Sequence, residues 1–310
     1  MKIIFFGTPE FAIPSLNALL ENGYEISAVV TVPDKEKGRG LKPEPSPVKK
    51  FALSKNLKVL QPEKLKDENF FHQLKEVNPD LGIVVAYRIL PKEVYTLPKF
   101  GTFNLHASLL PKYRGAAPIQ WALINGEKVT GVTTFFLQEK VDTGNIILQR
   151  EVLIDDEDYF QTLHDKLAQI GAELVIETVK LIENGSYNLK VQDDSKATRA
   201  PKITKEICQI NWHQRAQQIH NLVRGLSPVP AAFTYLGNKL IKIYKTKLTN
   251  ENSDAEAGVI EVKNDEILVS TSDYKISILE LQPESRKKMS AKEFLLGYKN
   301  LIDQYKKFSF

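Results

Sequence analysis

Residues 81–106 read LGIVVAYRILPKEVYTLPKFGTFNLH. Two short apolar runs, 81–86 (LGIVVA) and 101–105 (GTFNL), stand apart with a long connection between them, which is how strands buried on both faces read in a sequence. Working outward, 2–6 (KIIFF) and 26–31 (ISAVVT) are runs of the same kind. Stretches of helical character fall between these runs. In 46–55, Ser46 is placed to cap and Pro47 takes the first helical position; in 67–77 (DENFFHQLKEV) the apolar residues share one face. Strands alternating with helices predict an α/β domain built on a doubly wound, mostly parallel sheet. Gly7-Thr8-Pro9 follows the first strand, where dinucleotide-binding folds place a phosphate loop. It has one glycine where that fingerprint needs three, and Pro9 lacks an amide donor, so it reads as a strand-to-helix turn.

Toward the carboxyl end the style changes. A helix is expected over 159–184, with Gly185 placed to stop it. Residues 186–205 lack apolar periodicity and contain the polar QDDSKATRAPK. A short helical segment ending near Gly225 precedes five short strands, 231–236, 239–246, 258–263, 266–271 and 275–281, with Gly237-Asn238 as a hairpin turn. That spacing suits a small, partly open β-barrel, an OB-like domain. The expected division is a first domain over 1–188, a linker over 189–205 and a second domain over 206–310.

A chain of 310 residues suits two such domains, and 42% hydrophobic with 26% charged residues is globular composition. The single Cys208 excludes an internal disulfide framework and a cysteine-cluster metal site. The opening MKIIFFGTPEF is apolar too briefly for a signal peptide, and no run approaches a membrane span, so a cytoplasmic protein is expected. His72, His106, His164, His213 and His220 lack ligand spacing, and no metal is expected; His213 and His220, seven apart, are read as lying on one surface helix. The net charge is +4, but 201–310 carries 17 Lys/Arg against 12 Asp/Glu. Within 201–250, Lys202, Lys205, Arg215, Arg224, Lys239, Lys242, Lys245 and Lys247 face only Glu206. Such an excess marks either a polyanionic partner or a solvated basic face.

The densest chemistry is in 104–120, NLHASLLPKYRGAAPIQ, at the carboxyl end of an expected strand, where open parallel sheets bind ligands. Asn104 and His106, two apart, project from one face. Such an amide can donate to a developing oxyanion, and the imidazole can take or give a proton near neutral pH. A lone histidine at a strand end can equally be structural. In 131–147 (GVTTFFLQEKVDTGNII) a strand runs into a turn carrying Asp142. Its carboxylate either orients His106 or caps its own turn.

Taken together, FNLHASLLPKYRGAAPIQ and the Asp142-Thr143-Gly144 turn resemble the 10-formyltetrahydrofolate-dependent formyltransferases, whose signature is Asn-x-His at a strand end and a later Asp-x-Gly. The resemblance implies that Asn104, His106 and Asp142 form the catalytic set. It also implies that Ser108, Leu109, Leu110 and Pro111 line the folate site, and that the loop Ala86, Tyr87, Arg88, Ile89 grips the pterin. That loop, AYRILP, is one residue shorter than the family's usual form and has Arg88 where glycine is expected. GTPEFAIPSL, VPDKEKGRGLKPEPSPVKKFA, APKITKEICQINW, HNLVRGLSPVPAAFT and ISILELQPESRKKMSAKEFL extend the likeness to about residue 298, and they match the tRNA-directed members. These imply a folate co-substrate, 10-formyltetrahydrofolate, and an acceptor, the α-amine of methionyl initiator tRNA, formylated by direct amine attack for translation initiation. They further imply tRNA contacts by Arg39, Lys37 and Lys42 in the inserted loop, and by Lys202 and Arg224 in the basic stretch. A monomer is expected. A hydrolase releasing formate and a transferase acting on amino sugars are the rival activities on this scaffold; a nucleic-acid-binding protein without catalysis is the third.

Overall fold

The computed structural model describes residues 1–37 and 42–309. The chain forms two compact units: Met1–Gly115 with Val129–Leu153 and His164–Ala200, and Ala116–Lys128 with Ile154–Leu163 and Pro201–Phe310. It therefore passes between the units at more places than the 189–205 connector.

In the first unit, Lys2–Gly7 (β1), Glu25–Val30 (β2), Val59–Leu60 (β3), Leu81–Val85 (β4), Thr102–His106 (β5), Val129–Phe136 (β6) and Ile146–Leu153 (β7) make one sheet of order β7-β6-β5-β4-β1-β2-β3. β1 to β5 pair in parallel; β6 and β7 add antiparallel at one edge. Apart from exposed Lys2 at the start of β1, β1 and β4 are buried, which is why their sequences are apolar without alternation. Chain order runs outward from β1 to β3 and then returns to β4 on the other side of β1. Such a reversal, at the carboxyl ends of β1 and β4, is where open α/β sheets place their ligand sites.

Helices Ile13–Glu21 (α1), Pro47–Ser54 (α2), Glu68–Val77 (α3) and Phe160–Glu183 (α4) belong to the connections. The caps are those the residue types demand. Ser46 Oγ accepts from Lys49 N at 3.1 Å, Asp67 Oδ1 accepts from Phe70 N at 3.1 Å, and Asn78, at φ +46°, ends α3. Gly171 lets α4 lie against Leu105 of β5, since a Cβ there would stand 2.7 Å from the leucine Cδ2.

In the second unit, Ala232–Leu236 (β8), Lys239–Asn252 (β9), Ile260–Lys263 (β10), Glu266–Val269 (β11), Tyr274–Pro283 (β12) and Phe308–Ser309 (β13) form an antiparallel sheet of order β10-β11-β12-β9-β8-β13. Its two edges are tied together: Ile260 N donates to Lys306 O and Phe308 N to Gly258 O, both at 2.9 Å. The sheet thus curls into a small barrel. Its core holds Trp212 stacked on Phe308 at 5.6 Å, with the indole N–H donating to Thr234 Oγ1 at 3.0 Å.

Two helices complete this unit, Ala216–Leu226 (α5) and Ala291–Tyr305 (α6). α5 starts at Ala216, so His213 precedes it and the expected histidine pair on one helix does not form. β9 extends to Asn252, six residues beyond its expected end. Its polar tail continues to pair with β12 through register shifts that apolar alternation does not reveal.

Candidate active site

β5 ends at His106, opposite Thr133 of β6. The imidazole is 6% exposed. Its Nε2 lies 2.8 Å from Tyr113 O, and a carbonyl only accepts, so Nε2 carries the hydrogen and Nδ1 is the other face of the ring. Nδ1 stands 3.9 Å from Asp142 Oδ2. The same carboxylate oxygen accepts from Gly115 N at 2.9 Å. Two residues back along β5, about 6–7 Å on an extended strand, Asn104 is half-buried and its amide has no hydrogen bond among the described residues. The arrangement gives a fixed donor–acceptor imidazole, a held carboxylate and an uncommitted amide at one strand end. Tyr113 and Asp142 both have positive φ, +62° and +55°, a conformation non-glycine residues seldom take and one that clusters at functional sites.

The turn after β5 is built as a rigid corner. Thr133 Oγ1 donates to Ser108 O at 2.6 Å and accepts from Leu110 N at 3.2 Å and Gln149 Nε2 at 2.9 Å. Ser108 is fully buried and donates to Lys112 O, while Leu110 packs on Phe135 and Ile146. Ser108 and Leu110 thus turn their side chains into this corner. Their side chains hold the corner that carries Tyr113 to His106. Leu109 and Pro111 are half-buried in it.

After β4, Ala86 takes φ +49° and is exposed, Tyr87 packs on Phe6, and Ile89 is 73% exposed. Arg88 ties this loop to the one after β3: Nη1 donates to Glu63 O at 2.9 Å, and Nη2 to Pro62 O at 2.7 Å and Tyr87 Oη at 2.9 Å. Burial raises the Tyr87 phenol above its ordinary pKa, against the opposing pull of Arg88. Where a glycine was expected, the side chain of Arg88 anchors the loop instead.

Of the basic candidates, Arg39 lies outside the described residues, as do the side chains of Lys37 and Lys42. Lys202 is exposed. Arg224 is corrected: it is 3% exposed, on the inner side of α5, with Nε donating to Asn221 Oδ1 at 3.0 Å and Nη1 to Asp155 O at 3.3 Å. Burial draws its pKa below the usual arginine value, opposed by Asp156 and Asp158. At 3% exposure, little of this guanidinium reaches the surface where a phosphate would sit.

Pattern reasoning passed over Gln192, Arg114 and the backbone groups of Tyr113 and Gly115, all of which touch the Asp142–His106 arrangement or its supports. Arg114 and Gly115 stood in the quoted YRGAAP; Gln192 had no signal beyond being polar. Among the described residues no group of three His, Cys, Asp or Glu side chains could hold a metal ion, and no helix is long and apolar enough to cross a membrane.

The family model described as formyl transferase matches residues 1–179, and that of the formyl transferase C-terminal domain matches 202–299. A methionyl-tRNA formyltransferase of Caldanaerobacter subterraneus subsp. tengcongensis is 49% identical over 300 residues, covering 96% of this chain and 97% of that one. Another, of Thermodesulfovibrio yellowstonii, is 52% identical over 298 residues, covering 96% of both. Among solved structures, WlaRD, a sugar 3N-formyl transferase crystallised in the presence of dTDP and 5-N-formyl-THF, superposes with a TM-score of 0.68. It is 25% identical and covers 93% of this chain and 99% of its own. HypX from Aquifex aeolicus, in complex with tetrahydrofolic acid, gives 0.66 at 18% identity, over 100% of this chain and 49% of its own. Matched along nearly its whole length, the chain belongs to the formyl transferase family, among the methionyl-tRNA formyltransferases.

Proposed function

We propose that this protein transfers the formyl group of 10-formyltetrahydrofolate to the α-amine of methionyl initiator tRNA, giving N-formylmethionyl-tRNA for translation initiation. The observation that carries the reading is the pair at 3.9 Å, His106 Nδ1 and Asp142 Oδ2, with His106 on the same strand end as an Asn104 amide that has no hydrogen bond among the described residues. Formyl transfer to an amine needs a donor for the charge that develops on the formyl oxygen and a group to move a proton. Asn104 supplies the donor. His106 moves the proton at Nδ1, because Nε2–H is committed to Tyr113 O. Asp142, fixed by the Gly115 amide, steadies the imidazole when Nδ1 is protonated. No side chain is acylated: Ser108 Oγ is buried on Lys112 O, and Cys208 is buried on Thr204 O. Ala86, Tyr87, Arg88 and Ile89, with Ser108, Leu109, Leu110 and Pro111, border the folate; Lys37, Arg39, Lys42 and Lys202 meet the tRNA. The reading takes 1–188 as the catalytic part, 189–205 as linker and 206–310 as the tRNA-binding part, in a cytoplasmic monomer.

The test is a formyl-transfer assay offering methionyl initiator and elongator tRNA side by side, with wild type, Asn104→Ala and His106→Ala. Selective use of the initiator is expected, with turnover lowered roughly a hundred- to a thousandfold in each variant. Wild-type turnover in either variant ends the catalytic assignment. Equal use of both tRNAs, release of formate without an acceptor, or transfer to an amino sugar instead ends the assignment of the acceptor.

A further inference from the structure

Gln192 lies in the stretch that sequence pattern marks as a connector, yet it is 8% exposed and all its polar capacity is used. Its Oε1 accepts from Arg114 Nε at 3.1 Å and Arg114 Nη2 at 2.7 Å. Its Nε2 donates to Asp142 O at 2.9 Å and Gly144 O at 2.8 Å. A primary amide offers two donors and an oxygen with two lone pairs, so four bonds saturate it. The orientation is not free to invert. A guanidinium only donates, so Oε1 must face Arg114, and Nε2 must then face the two carbonyls. Arg114 is itself pinned by Asp194 Oδ1 at 2.7 Å.

These contacts bracket the Asp142 carboxylate from both sides. On one side the amide of Gln192 fixes two carbonyls of the turn 142–144, and hence the direction in which Asp142, at φ +55°, projects its side chain. That turn has no slack, because a Cβ on Gly144 would run into Phe136 O. On the other side Arg114 precedes Gly115, whose N–H holds Oδ2. Residues 114–115 are in turn paired with Arg199–Ala200, so closely that a Cβ on Gly115 would stand 2.5 Å from Ala200 O. One buried side chain therefore links the two backbone segments that set where Oδ2 sits against His106 Nδ1.

We infer that Gln192 is a positioning residue for Asp142, its amide aimed by Arg114, so that the connector supplies part of the active centre. The inference rests on the reading of Asp142 as a participant in transfer. Gln192→Met keeps length and volume but removes both donors and the acceptor. Gln192→Glu keeps the acceptor for Arg114, removes the donors and sets a carboxylate oxygen against the two carbonyls they served.

Both variants are expected to lower kcat by roughly ten- to a hundredfold, the usual scale for groups that orient a reactive side chain. KM for formylfolate and for methionyl-tRNA is expected to stay within about twofold, since an interaction that acts only in the transition state moves kcat alone. Placed on Asp142→Ala, Gln192→Met should cost nothing further, because the carboxylate it positions is gone. A purely structural role predicts instead the same fractional loss in both backgrounds, and that result overturns the inference. So does wild-type kcat in Gln192→Met, full activity in Gln192→Glu, or an effect confined to KM. If Asp142→Ala itself keeps wild-type turnover, both this inference and the catalytic reading fall; if it loses turnover while Gln192→Met does not, only this inference falls.

Discussion

His106 and His220 are two largely buried imidazoles placed in opposite electrostatic surroundings. His106 has the Asp142 carboxylate oxygen 3.9 Å from Nδ1. His220 accepts or donates to Thr246 Oγ1 at 2.9 Å, with Tyr159 edge-on to it; burial first and the Arg224 charge second bring its pKa down from 6.5 to about 4. The folded state holds His220 neutral where the unfolded chain would protonate it. Its contribution to stability is therefore complete above the unfolded pKa and is lost as pH falls from 6.5 toward about 4. From pH 7 to pH 5 the loss from this one group is about 2 kcal/mol. His220→Gln keeps a hydrogen-bonding group toward Thr246 but cannot titrate, so it should lose about 2 kcal/mol less than wild type over that interval. Urea unfolding at both pH values measures it; identical acid losses in the two proteins would refute the assignment.

Among the elements, α6 shows a signal that was present in the sequence and not read. Ser290 Oγ accepts from Glu293 N at 3.3 Å, and Glu293 Oε2 accepts from Ser290 N at 2.7 Å, a reciprocal capping box at the start of the helix. Ser-x-x-Glu before Phe294 and Leu295 is the local mark of that motif. Ser290→Ala should cost about 1 kcal/mol, read from the urea midpoint; an unchanged midpoint would show that the cap adds nothing. β9 was read only to 246, because its later half breaks alternation. Ile241 and Ile243 face inward, then register shifts at 243–246 turn Thr246 inward and leave Lys245 and Lys247 exposed. A bulge of this kind exchanges the two faces of a strand, so the two lysines lie outward on the same face despite following the core positions closely.

For the molecule as a whole, charge is the property that bears on a polyanionic partner. The eight bases of 201–250 are not equivalent: Arg224 is buried, Lys242 donates to Pro230 O at 3.3 Å, and Lys239, Lys245 and Lys247 are exposed. If tRNA phosphates meet this face, each neutralised contact contributes a slope of about −0.7 to −0.9 to the dependence of log affinity on log salt. The double variant Lys245→Gln/Lys247→Gln should flatten that slope by about 1.4 to 1.8 and weaken initiator and elongator tRNA alike, because phosphate contacts carry no sequence information. Filter-binding at several salt concentrations checks it, and an unaltered slope would remove both lysines from the interface.

The amino-acid order alone determined the parallel core strands, the capped helices α2 and α3, and the residue types Asn104, His106 and Asp142 as candidates, because each depends on neighbours within a few positions. Its limits lie where partners are distant. Whether Arg224 faces water, whether residues 258–260 meet 306–308 to curl the sheet, and whether Gln192 reaches Asp142, fifty residues away, were decided by the tertiary structure. Burial and hydrogen-bond saturation are properties of what the folded chain brings together, and a polar residue in a connector carries no local mark of the pocket it will fill.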